Sequence, residues 1–240
     1  MILAAGLGSR LRPLTDHTPK ALLPVGGIPI LERIAIRLIE AGADRLIINL
    51  HHLGDQIRSY VQERQNFGVD VVFSDESMEL LETGGALLHA THLFRRDEPF
   101  LLHNGDILSD LPLRDMYESH CHSDAICTLA VMQRASSRQL LFDGSGLVGR
   151  TDKSKRIRLQ AREADGLPLE LGFGGVHVIS PELLDRISES GAFSILETYL
   201  RLSGEGFAIL PFRIDGYRWM DIGKPEQLAI ADAWLERSLP

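Results

Sequence analysis

Short apolar runs alternate with longer segments whose apolar residues recur at helical spacing, a layout that predicts a parallel α/β sheet. Residues 1–5 read as a first strand. Residues 29–41 read as a helix, with Leu31, Ile34, Ala35, Leu38 and Ile39 on one face, Pro29 in its first turn and Gly42 as its stop. The continuous run Leu46-Ile47-Ile48-Asn49-Leu50 suits a strand covered on both faces. A helix over 55–64 follows, with Ile57, Tyr60 and Val61 inward. Residues 69–73 and 100–103 are two further strands, and 85–93 between them looks helical. This repeated βα layout predicts a doubly wound, Rossmann-like mixed sheet.

The pattern loosens after Asp106. A helix over 112–120 and a strand over 124–132 precede a hairpin, with Leu140-Leu141-Phe142 and Leu147-Val148 joined by Asp143-Gly144-Ser145-Gly146. Residues 151–168 are the most polar and least periodic, and are expected to form a mobile loop over the site. A strand over 173–179 and a helix over 181–187 come next, and Ser194-Ile195-Leu196-Glu197 fits a capping box opening another helix. Residues 207–212 and 217–220 flank an Asp215-Gly216 turn, and Pro225 opens a final amphipathic helix. With no repeat and no Pro/Ser-rich linker, one compact domain is expected. A front half over about 1–110 and a rear half over about 111–240 are expected within it.

Composition narrows the function. The chain has 240 residues, and 25 Lys+Arg against 33 Asp+Glu leave a formal charge of −8. That charge argues against a nucleic-acid binder and against a polybasic membrane contact. Any phosphate chemistry must then concentrate its few cations locally. No apolar run approaches the ~20 residues needed to cross a bilayer. Residues 1–5 run straight into glycines without the basic and long apolar stretches of a secretory signal. Two cysteines, Cys121 and Cys127, give no disulfide framework, so a cytoplasmic location is expected.

The most informative segment is Leu3-Ala4-Ala5-Gly6-Leu7-Gly8-Ser9-Arg10-Leu11-Arg12-Pro13-Leu14, directly after the first strand. Glycines there let backbone N–H groups approach an anion closely. A dinucleotide fingerprint needs a third glycine where Leu11 stands, and the Gly-Lys-Ser/Thr of a P-loop is absent. Arg10 and Lys20 bring two cations to the carboxyl edge of the sheet, where ligands of open α/β folds bind. A surface turn with solvated cations is the plain alternative for an isolated pair of this kind.

The long pattern from Leu3 to Thr15, followed by Pro19-Lys20-Ala21-Leu22-Leu23-Pro24-Val25, resembles the sugar-1-phosphate nucleotidyltransferases over nearly the whole chain. The resemblance implies a nucleoside triphosphate gripped by the Gly6/Gly8 loop, with Leu3, Ala5 and Asn104 also at the nucleotide. Arg10 would hold the β- and γ-phosphates, and Lys20 the phosphate under attack or the sugar phosphate. The implied reaction takes a nucleoside triphosphate and a sugar 1-phosphate to a nucleotide sugar and pyrophosphate, with Mg²⁺.

Two aspartates suit that cation. Asp106, in His103-Asn104-Gly105-Asp106, stands at the carboxyl end of an apolar strand, and Trp219-Met220-Asp221-Ile222-Gly223 repeats the arrangement late in the chain. Each alone reads more often as a turn residue. At positions matching the family's Gly-Asp and Asp-x-Gly sites, they are the metal candidates. Mg²⁺ usually takes one or two protein carboxylates plus phosphate oxygens and waters. Asp106 is also assigned to catalysis, with Arg10 and Lys20.

On the base side, Leu80-Leu81-Glu82-Thr83-Gly84-Gly85 opens a helix whose backbone, through Glu82 and Gly84, is expected to read a nucleobase edge. Many family members carry glycine where Glu82 stands. The Glu-Thr-Gly-Gly form is similar to the N-acetylmuramic acid-1-phosphate uridylyltransferase branch, which favours uridine and implies a cell-wall precursor. GTP or dTTP with mannose- or glucose-1-phosphate is the runner-up.

On the sugar side, Asp152-Lys153 stands where the family has Glu-Lys-Pro, with Lys155, Arg156 and Arg158 nearby. Gly174 and Gly175 resemble the glycine-bearing strand beneath the sugar. The nine histidines stand in no zinc frame, and no Gly-x-Ser-x-Gly elbow occurs. A dehydrogenase and a non-catalytic sugar-nucleotide sensor are the rival readings, and the oligomeric state stays open.

Overall fold

The computed structural model describes residues 1–236. They divide into two compact units. The first comprises Met1–Leu81, His103–Leu113 and the stretch from Arg218; the second comprises Glu82–Leu102 and Arg114–Tyr217. The units are therefore interleaved in sequence, whereas the reading above divides the chain once, near residue 110.

The first unit is built on parallel strands. Ile2–Leu3 pairs with Arg45–Leu50 on one side and with the end of Phe100–Asn104 on the other; Arg45–Leu50 also pairs with Asp70–Asp75. Leu46, Ile47, Ile48 and Leu50 are all buried, which is why that strand reads as an unbroken apolar run. The helix Ile30–Glu40 buries Ile30, Leu31, Ile34, Ala35 and Leu38, as its period predicts, while Ile39 is only half-buried. Gly42 ends it at φ 111°, a backbone region favouring glycine, and its N–H donates to the Ile39 carbonyl. In the helix Gly54–Glu63, Ile57 and Val61 are buried; Tyr60 is half-buried because its hydroxyl reaches Glu32.

The second unit is mainly antiparallel. Leu169–Ile179 runs antiparallel to both Cys127–Met132 and Arg138–Asp143, and Ile209–Arg213 joins Cys127–Met132 in parallel. The predicted hairpin is present as Arg138–Asp143 against Gly146–Asp152. Ser194 caps the helix Ile195–Gly204, accepting the Leu196 N–H at 3.4 Å.

One expectation needs correction. Residues 151–168 are not all loop: Ile157–Gln160 is a strand paired with Gly146–Asp152. Arg162 then ties the segment down, donating to both oxygens of Asp143 at 2.8 and 2.6 Å. Residues 207–212 and 217–220 flank the Asp215-Gly216 turn but take different partners. Ile209–Arg213 lies on Cys127–Met132, while Trp219–Asp221 pairs with Ile107–Ser109 in the first unit. The α/β class with a mixed sheet is as expected. Among the described residues, no helix is long and apolar enough to cross a membrane.

Candidate active site

The site in the first unit starts where the strand Ile2–Leu3 ends. Beyond Leu3 the chain turns through Gly6 and Gly8 into a short 3-10 turn, Ser9–Leu11. Gly8 adopts φ 62°, and a Cβ there would lie 2.8 Å from Thr15 Cγ2 and 3.1 Å from Lys20 Cβ. Both conformation and space therefore require glycine. Thr15 closes the loop by donating its hydroxyl to the Gly8 carbonyl at 2.9 Å. Leu11 is wholly buried, so the position that a dinucleotide fold gives to its third glycine anchors the loop in the core instead. Gly6 is exposed and has open space beside it.

Lys20 opens a second 3-10 turn, Lys20–Leu22, and its Nζ lies 2.6 Å from Asp106 Oδ2. Asp106 sits between the strands Phe100–Asn104 and Ile107–Ser109. The preceding Gly105 donates its N–H to the Leu3 carbonyl at 2.9 Å, and a Cβ there would stand 2.3 Å from that oxygen. Glycine at 105 thus lets the two strand ends close up, bringing Asp106 beside the glycine loop. Asn104 pairs in register with Leu3, and its side-chain Oδ1 is buried without a hydrogen-bond partner.

Asp221 reaches the same place from far along the chain. Trp219–Asp221 runs antiparallel to Ile107–Ser109 with Asp221 opposite Ile107, and the Ile222 N–H donates to the Asp106 carbonyl at 2.8 Å. The two aspartates therefore stand at one end of a two-stranded ribbon. A Cβ on Gly223 would lie 2.9 Å from Arg10 Nη2 and 2.9 Å from Asp221 Oδ1, so guanidinium and carboxylate flank the same glycine. Lys20 thus lies beside Gly8 and pairs with Asp106, Asp221 follows from Asp106 through the backbone bond of Ile222, and Arg10 and Asp221 both flank Gly223, so the four charged residues gather at this end of the ribbon.

One contributor was missed. Asn49 was read simply as part of an apolar run, yet it is buried and its Oδ1 accepts the N–H groups of Ala4 and Ala5 at 2.6 and 3.3 Å. Its Nδ2 donates to Glu76 Oε1 at 2.8 Å. A lone amide inside a run otherwise covered on both faces is the signal that marks it, because a buried polar group needs partners.

The remaining predicted residues belong to the second unit. Glu82 is exposed and begins the helix Glu82–His89 at φ 56°. The Gly84 N–H, in the segment expected to read a nucleobase edge, donates to the Phe193 carbonyl at 2.8 Å. A Cβ on Gly84 would come within 2.2 Å of the Phe193 ring, so this glycine serves packing. Gly174 and Gly175 lie in a bulge of Leu169–Ile179, where pairing jumps from Phe173↔Val131 to His177↔Leu129. Gly175 has φ 77°, and a Cβ on Gly174 would stand 3.0 Å from the Ala130 carbonyl oxygen. Lys153 is exposed and pairs with Glu170 at 3.0 Å.

A glycine loop at the carboxyl edge of parallel strands, with two cations and two carboxylates around it, defines a nucleotide-handling α/β protein. The family model described as nucleotidyl transferase matches residues 1–159, and the chain belongs to that family. It is 32% identical to an N-acetylmuramate alpha-1-phosphate uridylyltransferase of Neisseria meningitidis over 98% of both chains. It is 30% identical to a UTP–glucose-1-phosphate uridylyltransferase of Synechocystis, over 98% of this chain but 61% of that protein's length. Among solved structures, a UDP-glucose pyrophosphorylase from Acinetobacter baumanii superposes with a TM-score of 0.81 at 17% identity, covering 100% of this chain and 93% of that one. The kinship with sugar-1-phosphate nucleotidyltransferases, and with their N-acetylmuramate branch, is borne out.

Proposed function

We propose that this protein joins a nucleoside triphosphate, UTP by preference, to a sugar 1-phosphate, yielding a nucleotide sugar and pyrophosphate. The observation carrying the proposal is the gathering of Arg10, Lys20, Asp106 and Asp221 beside the Gly8 loop. The triphosphate binds on the Gly6–Gly8 backbone. Arg10 neutralises the β- and γ-phosphates that depart, and Lys20 the α-phosphate under attack. A sugar-phosphate oxygen attacks the α-phosphorus in line; a new P–O bond forms as the α–β bridging bond breaks, its electron pair leaving with pyrophosphate. Such a transfer needs positioning and charge neutralisation, and no protein nucleophile.

The donor set suits a hard divalent cation. Asp106 and Asp221 offer carboxylate oxygens from adjacent backbone positions, and Mg²⁺ is ordinarily held by one or two carboxylates with phosphate oxygens completing the shell. When bound, Mg²⁺ supplies Lewis-acid neutralisation of the polyphosphate. Asp106 and Asp221 would hold it.

The Glu82-Thr83-Gly84-Gly85 segment supports uridine, with Glu82 and Asn104 at the nucleoside, and supports a role in cell-wall precursor synthesis. Lys153, Gly174 and Gly175 are the residues proposed for the sugar phosphate. The two cysteines, both free, support a cytoplasmic location. The test is pyrophosphate release from UTP, GTP or dTTP paired with N-acetylmuramate-, glucose- or mannose-1-phosphate, with Mg²⁺ and with EDTA. UTP is expected to be fastest and EDTA to abolish release. No release with any pair would overturn the reading.

A further inference from the structure

We infer that Asn49, braced by Glu76, is a positioning residue for the nucleotide loop. The inference rests on the reaction proposed above. The strand Ile2–Leu3 has only a short ladder with Arg45–Leu50, registered as Ile2↔Ile48. Beyond Leu3 the chain leaves the sheet to become the glycine loop, and the N–H groups of Ala4 and Ala5 have no further strand carbonyl to meet. Asn49 Oδ1 takes both, at 2.6 and 3.3 Å. A side-chain amide thus continues the ladder to the first residues of the loop.

An amide rotates unless its other end is held, and that end is held. Asn49 Nδ2 donates to Glu76 Oε1 at 2.8 Å, which fixes Oδ1 toward Ala4 and Ala5. Glu76 is itself locked: its N–H donates to the Leu50 carbonyl at 2.7 Å, and its carbonyl lies 2.7 Å from His51 Nδ1. Asn49 and Glu76 are each 3% exposed, so their hydrogen bonds act where water does not compete. Neither side chain needs to touch substrate. Their action is on the backbone that leads into Gly6 and Gly8, and phosphate binding by backbone N–H groups tolerates little displacement.

The experiment measures UTP affinity by calorimetry, KM for UTP and for the sugar phosphate, and amide exchange at Ala4 and Ala5. Asn49→Leu removes the acceptor; KM and Kd for UTP are expected to rise about tenfold or more, with KM for the sugar phosphate within about twofold. Exchange at Ala4 and Ala5 should accelerate. Asn49→Asp keeps the acceptor but sets a carboxylate against Glu76, and should weaken UTP binding similarly. Adding Glu76→Gln restores a donor facing the introduced carboxylate, so the double variant is expected to recover UTP affinity to within about threefold of wild type. This rescue pair carries the test should Asn49→Leu fail to fold. Equal rises in both KM values, unchanged UTP affinity in the folded variants, or no rescue would overturn the inference while leaving the proposed reaction intact. A wild-type protein that binds no UTP would instead overturn the reaction, and the inference with it.

Discussion

Lys20 Nζ lies 2.6 Å from Asp106 Oδ2, so the cation assigned to the α-phosphate and the carboxylate assigned to the metal neutralise each other in this structure. Their side chains are 12% and 29% exposed, leaving the pair partly open to solvent. Substrate phosphate would take over Lys20 and a divalent cation Asp106, so each group exchanges one partner of opposite charge for another. Two groups that hold each other in place are set in position before substrate arrives, which is the kind of preorganisation phosphoryl transfer uses. Lys20→Ala, Asp106→Ala and Asp221→Ala are each expected to lower kcat by roughly 10²–10³. All three should retain wild-type circular dichroism. Near wild-type turnover in all three would remove the site.

Gly223 offers a separate test of Arg10. Because a Cβ there would meet Arg10 Nη2 and Asp221 Oδ1, each at 2.9 Å, Gly223→Ala pushes on two side-chain tips that can swing away. The expected cost falls on function: a KM for triphosphate raised by roughly tenfold, with the melting temperature close to wild type. A large loss of thermal stability without a change in KM would mean that Gly223 serves packing alone.

Much of the fold was legible because burial writes itself into local periodicity. The run 46–50 and the face Leu31, Ile34, Ala35, Leu38 are buried on the sides their spacing requires. The glycine loop was legible for a different reason, since Gly8 has neither the dihedral angle nor the space for another residue. What escaped depends on partners distant in sequence. The strand Ile157–Gln160 alternates apolar and polar residues over only four positions and is exposed along its whole length, so no buried face sets it apart from the polar segment around it. The bond between Arg162 and Asp143 that fixes the segment has no local pattern either. Residues 217–220 read only as one flank of a turn, and nothing local announces that Trp219–Asp221 pairs with Ile107–Ser109. The convergence of Asp106 and Asp221 was legible only through resemblance, because no spacing rule links positions so far apart.

Glu82 holds φ 56°, a region that costs a residue with a Cβ about 1–2 kcal/mol. Glycine would relieve that strain, at some cost in unfolded-chain entropy. Glu82→Gly is therefore expected to leave stability unchanged or raise it by up to about 1 kcal/mol in urea titrations. If the Glu82 side chain contributes to base choice, the same variant should lose part of its preference for UTP over GTP. A variant less stable than wild type would show that the side chain is held by contacts stronger than the strain.

Two buried imidazoles give the protein an acid-sensitive stability. Burial pushes His103 in the first unit down to about 4, although its Nδ1 lies 2.8 Å from the Asn104 carbonyl oxygen. Burial likewise lowers His120 in the second unit to about 4, between the hydroxyls of Thr128 and Ser180 at 2.9 and 3.0 Å. The ordinary value is 6.5, so between pH 6.5 and 4 the unfolded chain binds protons that the folded chain refuses. Stability must then fall as pH falls across that window, and it is complete only above it. By pH 5, before most carboxylates titrate, each imidazole accounts for a loss of about 2 kcal/mol relative to pH 7. Urea denaturation at pH 7, 6 and 5 should show this slope, and His103→Gln should flatten it by about half whatever its stability at pH 7. Equal stability at pH 7 and pH 5 in the wild type would show that neither imidazole is held neutral by its surroundings.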